Sequence, residues 1–467
     1  GDALSNDYRL SSNWVSCGAI RQDTQIRFVK PVTVTRTTSR DGSSWLTTQS
    51  SFDAYGNPEL IHEDGDLLRD TSLEYWYSST LNILEGRITL RSEDPGSRAR
   101  FWFNANGTLQ RQNINPSADT ATDGIDTTYL YDATGQLIQE TTDDTGNAAS
   151  VRRRQLQSYS FGVPGLEILP VSVASMSDVR INRDVNALGL VVWEEDGRQG
   201  VNYRTAFTYD DLKRVLTVNP PLGHTSMIVY AVDGSTATVT RGVSGDLRRQ
   251  QYSFDGFGRL RNWEDLERQD ERSIAYDSLG RKTLEQFFLG GQTADLHEFD
   301  DIGRLVRVDH PDAYDIEYDF LGSTVTVIDE ELASTELRYQ AFGEPDSKRL
   351  NQVLDAENKL WTYAYSPSNG LLTTITAPSG VSGANRSFTY TTDQLLDIET
   401  HPETGAINHD YSAGGDRIRT AKAGLSVEFD FDGPGRLYYV DAPTGTNDVE
   451  FVYDQASLPT TIDNTTA

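Results

Sequence analysis

"FDGFGRL" at 254–260, "YDSLGRK" at 276–282 and "FDDIGRL" at 299–305 write one phrase three times: aromatic, Asp, two variable residues, Gly, Arg or a neighbour of it. A single copy is compatible with a phosphate loop, a metal site or a turn. Recurrence decides between them. Variants occur upstream as "FDAYGNP" at 52–58, "FNANGTL" at 103–109, "YDATGQL" at 131–137 and "YDDLKRV" at 209–215. Downstream stand "YDFLGST" at 318–324, "YQAFGEP" at 339–345, "YSPSNGL" at 365–371, "YTTDQLL" at 390–396, "YSAGGDR" at 411–417, "FDGPGRL" at 431–437 and "YDQASLP" at 453–459. From residue 254 the steps between first residues are 22, 23, 19, 21, 26, 25, 21, 20 and 22. A period in this range marks a repeat architecture.

The phrase reads as a hairpin turn. The aromatic closes a strand, where Tyr and Phe are favoured. The Asp carboxylate accepts a backbone N–H two residues on, and the Gly supplies a positive φ at the end of the loop. This assigns structural roles to Tyr131, Asp132 and Gly135; to Phe254, Asp255, Gly258 and Arg259; and to Tyr276, Asp277, Gly280 and Arg281. It assigns the same roles to Phe299, Asp300, Gly303 and Arg304, and to Phe431, Asp432, Gly435 and Arg436. Between turns the residues alternate, as in "STVTVIDEE" at 323–331, which is the strand pattern. One hairpin cannot stand alone in water, so successive units must pair side by side. The expected fold is all-β: tandem hairpins in one long antiparallel sheet, coiled by its own twist into a spiral or shell-like wall.

Composition agrees. In 467 residues there are Gly 38 and Tyr 22 but only Met 2. Of the 41 basic residues 35 are Arg, which stacks on aromatic faces and pairs with carboxylates in a fixed fork. The net charge of −29 disfavours nucleic acid and anionic membranes as partners. No apolar run is long enough for a spanning helix. The single Cys17 excludes an internal disulfide framework and a cysteine zinc site. The chain begins "GDALSNDYRL", without Met, and is expected to be a mature or excised piece of a larger protein.

The phrase, at this period, resembles the YD repeat of the Rhs family, which includes bacterial Rhs polymorphic toxins, the B and C components of insecticidal toxin complexes, wall-associated proteins and teneurins. The likeness is strong over 254–459 and looser before it. It implies a strand wound into a hollow shell that encloses a toxic domain or serves as a rigid body for cell-surface contact. The closing Asp-Pro-rich segment of cargo-enclosing members is missing, so their self-cleaving activity is not carried over. Residues 1–180 read as divergent repeats with an irregular segment near 141–180, and 181–467 as the regular array, together one continuous repeat fragment.

Other residue sets stand outside this plan. His401, His409 and Tyr411 lie in adjacent turns and are the weak candidates for catalysis. Asp64, Asp66, Asp143 and Asp144 are the weak candidates for a cation, since hard oxygen ligands suit calcium. The "RRR" at 152–154 reads as an exposed face, with an anion patch as its sharper alternative. No cofactor is expected. The leading function is a wall segment of a secreted or surface bacterial protein, with polypeptide cargo or neighbouring shell segments as partners. The alternatives are a glycan- or receptor-binding module, and a polysaccharide lyase or hydrolase using a Tyr, His and Arg groove.

Overall fold

The computed structural model of the chain describes residues 3–10, 15–16, 27–28, 31–77, 86–115, 124–142, 151–198, 201–243, 245–288, 292–311, 315–381, 383–443 and 447–465. Among these residues, apart from one 3-10 turn at Val201–Tyr203, the regular structure is strand. A single sheet of 38 strands contains nearly all of it. Ala3–Leu10 pairs with Pro31–Arg40, and each strand from there to Pro459–Thr465 pairs antiparallel with the next in sequence. Val15–Ser16 and Arg27–Phe28 form a separate small ladder. Of the irregular 141–180 stretch, residues 143–150 lie outside the described residues; the strands on either side of them pair, with Gln139 opposite Gln155, and further on Leu166 opposes Asn182.

The phrase bends the sheet as well as turning the chain. At each of its clearest copies the register slips by one residue at the aromatic, between Leu130 and Tyr131, Ser253 and Phe254, Ala275 and Tyr276, Glu298 and Phe299, and Asp430 and Phe431. An extra residue on one strand of a pair kinks it and adds right-handed twist. Repeated along the meander, these bulges curl the sheet.

The curl closes into a coil. Side chains 257 to 308 residues apart in sequence touch: Asp66 and Ser323, Asp41 and Arg304, Arg36 and Glu344. One circuit therefore takes about 23 strands. At ~4.8 Å per strand that is a ring about 110 Å around and about 35 Å across, with a bore near 25 Å once side chains are placed. Among the described residues no second layer fills it. The accessible surface is 26870 Å². A compact protein of 51.9 kDa should expose roughly 17,000 Å². The excess is what a single-layer wall wetted on both faces requires. Among the described residues only twelve apolar ones are buried, Trp45, Leu73, Leu90 and Ile274 among them, spread along the wall without a central core.

Two readings of the repeat change. In "YDFLGST" Tyr318 and Asp319 are inside strand Ile316–Leu321, and the turn falls at Gly322 and Ser323. Gly322 alone takes a positive φ there, +58°, and Phe320 occupies the aromatic position. Conversely, the same turn is built without an aromatic at Asn186–Gly189, Asp329–Leu332 and Asp355–Asn358. Its defining part is the acid or amide and the left-handed residue, not the ring.

Candidate functional site

The features that repeat most are the hairpin tips, which line the two rims of the wall. At 276–282 the Asp277 carboxylate accepts the backbone N–H of Leu279 and of Arg281, each at 2.9 Å. Its second oxygen accepts Arg281 Nε at 2.6 Å. Gly280 N–H donates to the Asp277 carbonyl at 3.1 Å, with Gly280 at φ +86°. Asp255 with Arg259, Asp300 with Arg304 and Asp432 with Arg436 repeat the carboxylate–guanidinium bond at 2.7 Å. Gly135, Gly258, Gly303 and Gly435 take φ of +85°, +79°, +91° and +85°. Asp132, facing Gln136 in place of Arg, holds its loop through the N–H groups of Thr134 and Gln136. Burial pushes the Asp277 carboxyl up, but the Arg281 N–H, its guanidinium and the Leu279 N–H outweigh burial and leave it below the usual carboxylate range.

Each tip is tied to its neighbours by the ring and the guanidinium. Tyr276 Oη donates to the Leu260 carbonyl of the preceding unit at 2.9 Å. Tyr209, Tyr230, Tyr390 and Tyr453 do the same to Val191, Val215, Leu372 and Leu437. The guanidinium of one unit lies over the ring of the next: Arg259 over Tyr276 at 4.4 Å, Arg281 over Phe299 at 4.6 Å, Arg304 over Phe320 at 4.3 Å, Arg436 over Tyr453 at 4.6 Å. Such a contact contributes about 0.5–1 kcal/mol at exposed sites. The Arg of the phrase thus bonds its own Asp and clamps the following unit. That link is invisible in a single copy.

The coil is held where rim meets rim. Tips at 300–304, 342–347, 391–395, 412–416 and 432–436, in the second circuit, seat on the opposite rim of the first. Arg304 Nη1 reaches Asp41 at 2.7 Å while its Nε holds Asp300. Asp66 accepts Ala341 N–H at 3.0 Å and Ser323 Oγ at 2.9 Å. Leu67 N–H donates to the Ala341 carbonyl at 3.0 Å, Asn115 Nδ2 to the Asp393 carbonyl at 3.2 Å, and Arg152 pairs with Asp416. Two glycines make the approach feasible: a Cβ on Gly65 would sit 1.9 Å from the Phe342 carbonyl oxygen, and one on Gly433 2.0 Å from that of Pro170. Sequence reading had no access to this seam, because its partners are a whole circuit apart.

The other candidates find local roles. His401 Nε2 and His409 Nε2 both face the Glu399 carboxylate, at 2.9 and 3.3 Å. His409 is buried and its Nδ1 meets Thr420 Oγ1 at 3.1 Å. The His401 hydrogen bond, with that of His409, draws the Glu399 carboxyl below its ordinary value against burial. Tyr411 lies two residues beyond His409 in the same strand, and burial pushes its hydroxyl up. Asp66 belongs to the seam, Asp64 is exposed, and Asp143 and Asp144 lie outside the described residues. Among the described residues no group of three His, Cys, Asp or Glu side chains is placed to hold a metal ion. In the "RRR" run Arg152 pairs with Asp416, and Arg154 with Glu167 at 2.7 Å.

No family model and no curated protein matches the chain. Solved structures do. The crystal structure of TcdB2-TccC3-TEV aligns with 98% of this chain and 39% of its own, at a TM-score of 0.58 and 9% identity. That of TcdB2-TccC3 aligns with 93% of this chain and 30% of its own, at 0.43 and 13%. The form without the hypervariable C-terminal region aligns with 93% and 30%, at 0.40 and 11%. The first likeness establishes a common fold, and the chain spans about two fifths of that structure's length. The fold is the one that the resemblance to the YD repeat implies.

Proposed function

We propose that this chain is a wall segment of a secreted or surface-located bacterial shell, and that its coil encloses or presents a partner polypeptide. The observation that carries this reading is the surface: 26870 Å² on a single-layer sheet that coils back onto itself. In this reading the wall acts by enclosure. It excludes proteases and other large molecules from a bore near 25 Å wide, and its many hairpin tips lock the circuits together. The neighbouring TcdB2-TccC3-TEV structure is compatible with a polypeptide-handling role, since its fold is shared.

Limited proteolysis of the gene product that carries this chain tests the reading, with the wild type beside an Asp432→Ala variant whose seam is weakened. Polypeptide held within the wall should resist cleavage in the wild type and become susceptible in the variant, before the strands themselves are cut. Equal susceptibility of that polypeptide in both proteins would sink the proposal.

A further inference from the structure

Residues 86–115 carry five arginines, Arg87, Arg91, Arg98, Arg100 and Arg111, against two acids, Glu93 and Asp94, a local charge of +3 in a chain of net charge −29. Strands Arg87–Asp94, Arg98–Phe103 and Leu109–Ile114 run through them, each paired on both sides. Directly opposed residues share a face of the sheet, so Leu73, Arg91, Ala99 and Ile114 form one row across four strands. Ala99 is the short side chain of that row and leaves a depression between longer neighbours. The depression widens into a hollow of about 640 Å³ with a floor of Ile88, Ala99, Phe101, Phe103, Leu109 and Ile114. It lies on a face of the wall, not on a rim, and its size is that of a small-molecule site.

Charge sets what the hollow accepts. Arg91, Arg98 and Glu93 also line it, two guanidiniums to one carboxylate. Arg91 donates from Nη2 to Glu93, yet its side chain stays 58% exposed. Arg98 Nε donates to Ser92 Oγ at 3.2 Å. Ile88 and Arg91 also border a second hollow toward the seam, of about 460 Å³. Its carboxylates already have cations: Glu63 has Arg69, and Glu344 has Arg36. Arg91, between the two hollows, is therefore the guanidinium open to an incoming anion. Backbone N–H and C=O groups of these strands are committed to the ladder, so a peptide finds nothing to pair with there. An apolar chain with one anionic head needs no such partners.

We infer that the hollow binds a medium-chain aliphatic carboxylate, its chain on the floor of Phe101 and Phe103 and its head on the fork of Arg91. Burial of chain and floor drives binding, and a guanidinium takes a carboxylate through two parallel N–H bonds. The site does not depend on what the bore encloses.

Isothermal titration calorimetry with laurate below its micellar concentration tests this, beside octanoate, decanoate, dodecyltrimethylammonium and a capped peptide of leucine and glutamate. The wild type should bind one laurate per chain, and each added methylene from octanoate upward should tighten binding about fourfold. Dodecyltrimethylammonium, with the same chain and the opposite charge, should not bind, and neither should the peptide. Ala99→Leu, which fills the depression, should abolish laurate binding, and Arg91→Gln should weaken it about tenfold or more. Thermal midpoints check folding, and Arg91→Gln, on an exposed side chain, reads the site even where Ala99→Leu perturbs the wall. No binding of laurate, several sites per chain, equal binding of either control, or an Arg91→Gln variant as tight as the wild type overturns the inference.

Discussion

"FDGFGRL" at 254–260 and "FDGPGRL" at 431–437 differ at one residue, Phe257 against Pro434, yet they occupy different worlds. Their internal geometry is the same: Arg N–H to Asp Oδ1 at 3.0 and 2.8 Å, and Nε to Oδ2 at 2.7 Å in both. Around the first, a Cβ on Gly256 would meet nothing within 4 Å. Around the second, a Cβ on Gly433 would strike the Pro170 carbonyl, and Asp432 is wholly buried while Asp255 keeps 14% of its side chain exposed. The local bonds make the turn. The seam decides how much stability rests on it.

Acid should act on many tips together and give the largest effect. The carboxyls of Asp53, Asp132, Asp210, Asp233, Asp255, Asp277, Asp300 and Asp355 all lie below the ordinary carboxylate value. A depressed folded value means stability that is complete above the unfolded pKa near ~4 and lost as pH falls through the folded values. The thermal midpoint should therefore be level above roughly pH 5 and drop steeply below ~4. A midpoint that rises on acidification would contradict the role given to these carboxylates.

Single substitutions then separate the two environments. Asp432→Ala leaves Arg436 without its buried partner and should cost about 3–5 kcal/mol, read from urea unfolding; Asp255→Ala should shift the midpoint far less. Equal shifts would mean that the seam adds nothing to the turn. Gly433→Ala should cost about 1–3 kcal/mol through the clash with Pro170, while Gly256→Ala should stay within about 0.5 kcal/mol. Backbone handedness is tested independently of the seam: Gly258→Ala should lose about 1 kcal/mol. Lys213, at φ +65° in the corresponding position, should gain by a similar amount on Lys213→Gly. Tyr276→Phe removes the hydrogen bond to Leu260 and should cost about 1 kcal/mol. A neutral result there would reduce the hydroxyl to a bystander.

Much of this was legible in residues 254–305. Asp277 and Gly280 announce the turn because their chemistry acts within five residues, and the alternation between turns is a property of the strand itself. The phrase failed as a detector where the ring was made a condition: Asn186 and Asp355 start the same turn with no aromatic before them. It misled at Tyr318, where a two-residue turn at Gly322 moved the aromatic role to Phe320. The pairing of His401 and His409 with Glu399 was half visible, since the histidines were singled out but the carboxylate between them was not.

Sequence by itself determined the turn, the strand and their period, because each depends on contacts a few residues long. It also determined that the sheet must curl, since an antiparallel sheet of so many strands accumulates twist. The tertiary structure alone decided which copies bear load. The bond from Arg304 to Asp41 spans 263 residues, and the opening between Gly433 and Pro170 exists only because twist accumulated over about 23 strands brings one rim onto the other. No local pattern sets the closure of a circuit, because it is the sum of many small rotations.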